Sequence, residues 1–420
     1  MSLPATTVVA DAGGSATSFP PHLARELRAS SVHPLPHGTS PARVWRVVTP
    51  EGDLAVKVLQ QGAGIADGQD IDSFLREPAQ IRRVHHEVPA IGALYVDVLG
   101  QWQRPGWAAY AMPYVAGSPA VAPATARGDA RDRLHRVFTS LTEHGYARSR
   151  RHAATTLRPP ELALVRKRLW ILQRHVPREL LDGPPVRING RVCRPLVPLL
   201  QSIERDAGLL RKLWPRLVSY PVHGELDLAD LLASGPGGGR FTLLDPRGTR
   251  GYGDPVDDFA HVLFSMTVLD RAVADGVRTW HTARTGGKPA SWVLRSVGPH
   301  RGYPQLGEWF VGMLGRLPFG AELSRVDPHW RLRLAFAHGF HALVEATARL
   351  SERNPPPRPA WAPGPEALAT TFVALGLRLL EQAVAGAGGR AGRDGELPDV
   401  STGLDDDTGV VWRYGDGRRR

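Results

Sequence analysis

The sequence predicts an α+β fold in two lobes: a small antiparallel sheet, then a larger and mainly helical lobe. Two observations carry this. Between Val32 and Leu59, short apolar alternations flank a tight turn at Pro50–Asp53, the pattern of a β-hairpin. Beyond Ala124, apolar residues recur at helical spacing over long stretches, and carboxylates gather at the ends of the few short apolar runs between them.

Taken in order, residues 1–20 are small and polar and are expected to be disordered. Residues 21–116 form the first lobe. In it Ala42–Val48 and Leu54–Leu59 pair about the turn, and Asp72–His86 is a helix that needs Pro78 in its first turn. Ile91–Leu99 and Trp107–Met112 are expected as further strands, and Gly117–Pro123 as a linker. Residues 117–384 form the second lobe. Its helices are expected over Asp129–His144, Pro160–Val176, Pro195–Leu213, Asp257–Leu269, His329–Leu350 and Gly364–Val384. Asn189–Gly190 marks one hairpin in Val186–Pro195, and two short strands flank the glycine-rich stretch 235–239. The tail, 385–420, is Gly- and charge-rich and expected to be disordered.

A chain of 420 residues with 42% hydrophobic and 22% charged residues has the composition of a soluble globular protein. No run reaches the roughly 18 uncharged apolar residues of a membrane span. Met1–Pro20 lacks the basic and apolar regions of a secretory signal, and Cys193 stands alone. A reducing, cytoplasmic setting fits, with neither a disulfide nor a cysteine-held metal. The formal charge of +11 could suggest an anionic partner. The arginines are spread along the chain rather than gathered in blocks, so nucleic-acid binding is not expected. Lysine occurs only at Lys57, Lys167, Lys212 and Lys288, so a lysine inside an apolar strand stands out.

That lysine is Lys57, in Leu54-Ala55-Val56-Lys57-Val58-Leu59. A buried ammonium is costly without an anionic partner. Either Lys57 lies on an edge strand facing water, or it reaches bound phosphates beside a helix carboxylate. Glu77 is the first candidate for that carboxylate and Glu87 the second. Upstream, Pro36-His37-Gly38-Thr39-Ser40 is a turn whose N–H groups and hydroxyls, with Gly38 at its centre, suit a phosphate. The densest segment is His223-Gly224-Glu225-Leu226-Asp227-Leu228-Ala229-Asp230. Leu243-Leu244-Asp245-Pro246-Arg247-Gly248 follows, then Gly253-Asp254-Pro255-Val256-Asp257-Asp258. Carboxylates at strand ends suit a hard cation such as Mg²⁺, which takes oxygen ligands.

In this order the motifs resemble the aminoglycoside phosphotransferase/choline kinase family, whose members share a protein-kinase-like fold. That family carries His-Gly-Asp with an Asn five residues after the Asp, a metal-binding Asp at a later strand end, then Gly-Asp-Pro and a helix with a buried Asp. His223-Gly224 matches the loop's start, Asp245 the metal Asp, Gly253-Asp254-Pro255 and Asp258 the last segment, and Lys57 the phosphate-binding lysine. Trp107–Tyr114 matches the strand and hinge that cradle adenine, which implies Met112 and Tyr114 beside the base. The resemblance spans Pro34–Leu269. It implies a bilobal kinase-like fold, ATP and Mg²⁺ as cofactors, metal ligands at Asp230 and Asp245, and bracing of the loop by His223 and Asp258.

Two departures fall at the chemistry. The expected base is Glu225 rather than Asp, and the expected Asn is Asp230. Glu225 keeps the charge but moves it about 1 Å, and Asp227 is a rival base two residues on. The expected activity is an ATP-dependent phosphotransferase (a kinase) acting on a hydroxyl of a small polar molecule such as a sugar or aminoglycoside. The alternative is a nucleotide-binding pseudokinase with a regulatory or scaffold role. The sequence carries no motif that names the acceptor or an oligomeric state. His338 and His341, three residues apart, could share a helix face, but no carboxylate completes a metal site there.

Overall fold

The computed structural model describes residues 19–388 apart from 36–39, 67, 122–126, 154–158, 235–239, 249–250, 271, 274–275, 297–305 and 352–362. The turn around Gly38, the segment 1–18 and the tail from 389 onward lie outside the described residues.

Five strands build the first lobe: β1 (Ser31–Pro34), β2 (Arg43–Thr49), β3 (Gly52–Gln60), β4 (Gly100–Arg104) and β5 (Trp107–Pro113). They form one antiparallel sheet in the order β1-β2-β3-β5-β4. Strand alternation sends Val56 and Val58 to the outer face, where they pack with Leu23, Val47, Ala109 and Ala111. Leu59, Ala108, Tyr110 and Met112 face the other way, onto Phe74, Val96 and Leu244. Lys57 sits on that inner face, directly opposite Tyr110. Since β3 is paired on both sides and Lys57 is 3% exposed, the edge-strand reading is excluded.

Helix α1 (Arg76–Glu87) covers the inner face. Pro78 stands in its first turn, where its missing N–H costs nothing. The stretch Ile91–Leu99 is not a strand. Pro89 opens a short helix, Pro89–Gly92, and the Leu94 carbonyl turns to accept the Leu243 N–H from the second lobe. The strand that pairs with β5 comes later, at β4. Within the expected linker, Ser118–Pro119 pairs with Leu232–Ala233 and so joins the lobes.

The second lobe centres on three helices, α2 (Pro255–Phe264), α3 (Trp330–Ser351) and α4 (Pro365–Gly388), packed in one large apolar core. Strands β6 (Leu231–Ser234) and β7 (Arg240–Leu243) form the hairpin behind the cleft. Asn189 (φ 43°) and Gly190 (φ 80°) turn the foreseen hairpin in the left-handed conformations it requires. A second hairpin, Val277–Thr282 with Ser291–Ser296, extends it to four strands and was not expected from the sequence. Helix α4 is long and apolar enough to cross a membrane, but 78% of its most apolar window is buried within the chain, where it packs against α3.

Candidate active site

The inner face of the sheet and the strand ends of the second lobe meet at Lys57. Its Nζ lies 2.8 Å from Glu77 Oε2 and 3.1 Å from Asp245 Oδ2. The two carboxylates hold the ammonium charged, raising its pKa above the ordinary lysine value although burial opposes this. Glu77 is pushed up to about 7 by burial, with Lys57 pulling the other way. The Tyr110 hydroxyl donates to Glu77 Oε2 at 2.8 Å and lies 3.4 Å from Asp245 Oδ1. Sequence reasoning missed Tyr110, which stands opposite Lys57 only through the pairing of β3 with the distant β5. Glu87 is at the far end of α1 and pairs with Arg83 instead.

Asp245, two residues past β7, has φ 49°, a left-handed backbone uncommon for any residue but glycine. The turn presents its carboxylate, 36% exposed, to the cleft. Asp230, in the short turn Leu228–Asp230, accepts the Asp227 N–H at 3.1 Å. Its pKa is raised well above the ordinary range, first by burial and then by the fields of Asp227 and Asp245. Carboxylates crowded in this way gain from a divalent cation between them. No group of three or more metal-type side chains exists among the described residues. Mg²⁺ takes one or two protein carboxylates and completes its shell with phosphate and water, so Asp230 and Asp245 are the residues that could hold it.

The loop carrying Glu225 is fastened from below. Asp258, fully buried on α2, accepts the N–H groups of His223 (2.8 Å) and Gly224 (2.7 Å) and the hydroxyl of Tyr146 (2.7 Å). Gly224 has φ 88°, so a side chain there would strain the turn. His223 Nε2 lies 2.6 Å from the Leu244 carbonyl, and its own carbonyl accepts the Arg247 N–H. Burial lowers its pKa, and it holds the segment bearing Asp245 against the loop. Glu225 is half exposed and lies 3.5 Å from Arg247 Nε. Asp227 is tied inward: Oδ1 accepts the Ser265 hydroxyl at 2.8 Å and faces His261 Nδ1 at 3.6 Å.

The arrangement joins a sheet-borne lysine, a helix glutamate, a strand-end aspartate and a backbone-braced loop across one cleft. The fold is protein-kinase-like. In the kinase-like frame, Met112 is buried on the Lys57 side of β5. Tyr114 is placed differently: its N–H donates to the Asp53 carbonyl, and Arg46 lies over its ring.

No family model matches the chain, and no curated protein sequence does. Solved structures do, at low identity. An aminoglycoside-3'-phosphotransferase of type VIII is 18% identical, with 71% of this chain and 93% of that one covered and a TM-score of 0.39. An aminoglycoside phosphotransferase from Streptomyces rimosus is 16% identical, covering 72% and 92%, with a TM-score of 0.40.

Proposed function

We propose that the chain is an ATP-dependent phosphotransferase acting on a hydroxyl of a small polar molecule, with a sugar or an aminoglycoside as the leading acceptor classes. The observation that carries this is the placement of the buried Lys57 between Glu77 of the first lobe and Asp245 of the second. A structural lysine needs one partner. One held by two carboxylates, the second of them 36% exposed, is a cation poised for phosphates. When bound, Mg²⁺ would supply positive charge to the triphosphate, with Asp245 and Asp230 as its protein ligands. Lys57 orients the nucleotide phosphates, and Glu77 keeps Lys57 in place.

Glu225 is the better placed of the two base candidates. It is the more exposed, and Arg247 steadies its longer side chain, whereas Asp227 is engaged by Ser265 and His261. Glu225 would accept a hydrogen bond from the attacking hydroxyl and orient it. Asp258, His223 and Tyr146 hold that loop still, and positioning of this kind supplies most of the rate.

The pseudokinase reading draws on the crowding of Asp230 by Asp227 and Asp245, which gathers carboxylates where a triphosphate would lie. One assay separates the two. Labelled ATP is incubated with Mg²⁺ and a panel of hydroxylated metabolites, and label on an acceptor is measured. Transfer that falls by orders of magnitude in Glu225→Gln, and far less in Asp227→Asn, is expected. Nucleotide binding without transfer to any acceptor would favour the pseudokinase.

A further inference from the structure

One turn of α1 meets both lobes at the site. Glu77 grips Lys57, and Gln80 lies three residues on, on the same helix face. Gln80 is 3% exposed, and its Nε2 donates to the Val222 carbonyl at 2.9 Å. Val222 immediately precedes His223-Gly224-Glu225. At the head of the same turn, Arg76 lies against Gly248, the residue after Arg247. A Cβ on Gly248 would stand 2.5 Å from Arg76 Cβ and 2.8 Å from its carbonyl carbon, and Gly248 has φ 77°. Only glycine permits that approach.

From this juxtaposition we propose that Gln80 is a positioning residue that sets the register between the nucleotide-binding helix and the catalytic loop. A buried side-chain amide reaching a backbone carbonyl 142 residues away joins the lobes at one defined height. The contact is directional, unlike the apolar packing of Ile81 and Val84 beside it. Glu77 and Gln80 project from the same turn, so the Val222 bond sets the height at which the loop meets the helix that carries Glu77. The inference rests on the phosphotransferase reading for its catalytic consequence, but not for the tether itself.

The test uses Gln80→Met, which keeps length and volume but has no donor, and Gln80→Glu, which turns an acceptor toward the carbonyl. Amide hydrogen exchange at His223–Glu225 reports the tether, calorimetry with Mg-ADP reports the nucleotide site, and turnover reports the chemistry. In Gln80→Met, exchange at these amides should quicken roughly tenfold, the loss of one buried hydrogen bond. Mg-ADP affinity should stay within about threefold, since Lys57 and Glu77 are untouched. The turnover number should fall roughly tenfold or more with little change in the Michaelis constant for ATP. Gln80→Glu should be the more severe. Unchanged loop exchange in a folded Gln80→Met protein would overturn the proposal. So would a fall in nucleotide affinity with turnover intact. Failure of the unaltered protein to bind Mg-ADP would instead strike the proposed function, and the exchange measurement would still decide the tether.

Discussion

Replacing Asp258 by Asn changes one oxygen to nitrogen in a fully buried side chain, and its consequence can be worked out bond by bond. The carboxylate accepts three donors: His223 N–H, Gly224 N–H and Tyr146 O–H. With the amide oxygen kept toward Gly224, the new NH₂ faces the other two. The Tyr146 hydroxyl can rotate and accept, but the His223 N–H cannot. One bond therefore survives in weaker form, one inverts, and one is replaced by a donor facing a donor. Hydrogen bonds to a charged group are worth about 1.5–3 kcal/mol, and an unsatisfied buried donor costs about 1–3 kcal/mol. Removing the buried charge returns part of this, so a net loss of about 2–4 kcal/mol is expected. Urea unfolding measures it as a lower midpoint at unchanged slope. Displacement of the loop by a fraction of an ångström should also cut phosphoryl transfer by about 100-fold. A change below about 0.5 kcal/mol with full activity would refute the reasoning that Asp258 holds the loop.

The neighbouring Asp257 should behave oppositely. Burial, with Glu161 and Asp254 nearby, raises its pKa well above the ordinary range, so Asp257→Asn should leave stability near neutral pH unchanged or slightly higher in the same urea assay. Arg333 lies between Asp254 (2.7 Å) and Asp327 (2.6 Å) and is 5% exposed; Arg333→Met strands two buried carboxylates and should cost about 3–5 kcal/mol by thermal or urea unfolding. His338, bonded to Thr267 at 2.8 Å, has its pKa lowered to about 3 by burial. Between the ordinary 6.5 and that value the unfolded chain takes up a proton that the folded chain refuses, so stability is lost as pH falls through this window. The loss approaches about 4–5 kcal/mol at its acid end, and His338→Gln should flatten this part of the stability–pH curve.

The legible parts of the molecule are those with local causes. Lys57 could be read because an ammonium inside an apolar run demands a partner, and the structure puts it on a central strand with Glu77 beside it. The hairpins at Gly52 and at Asn189–Gly190 follow from turn chemistry that acts within a few residues. The strand expected at Ile91–Leu99 failed because Pro89 starts a helical turn there, and the apolar side chains serve the core rather than a ladder. The hairpin Val277–Ser296 was hidden because Arg278, Trp280 and His281 break any apolar alternation on its exposed face. Tyr110, Tyr146, Gln80 and Arg247 escaped notice for a different reason. Each acts on a residue between 22 and 142 positions away, and no local pattern announces such a contact.

A nucleotide site whose cation and anion are Lys57 and Asp245 is open to calorimetric titration with Mg-ATP. The unaltered protein should bind, and Lys57→Ala and Asp245→Asn should each weaken binding by about 100-fold or more while the melting temperature shows both to be folded. Absence of binding by the unaltered protein, or equal binding by folded Asp245→Asn, would contradict it.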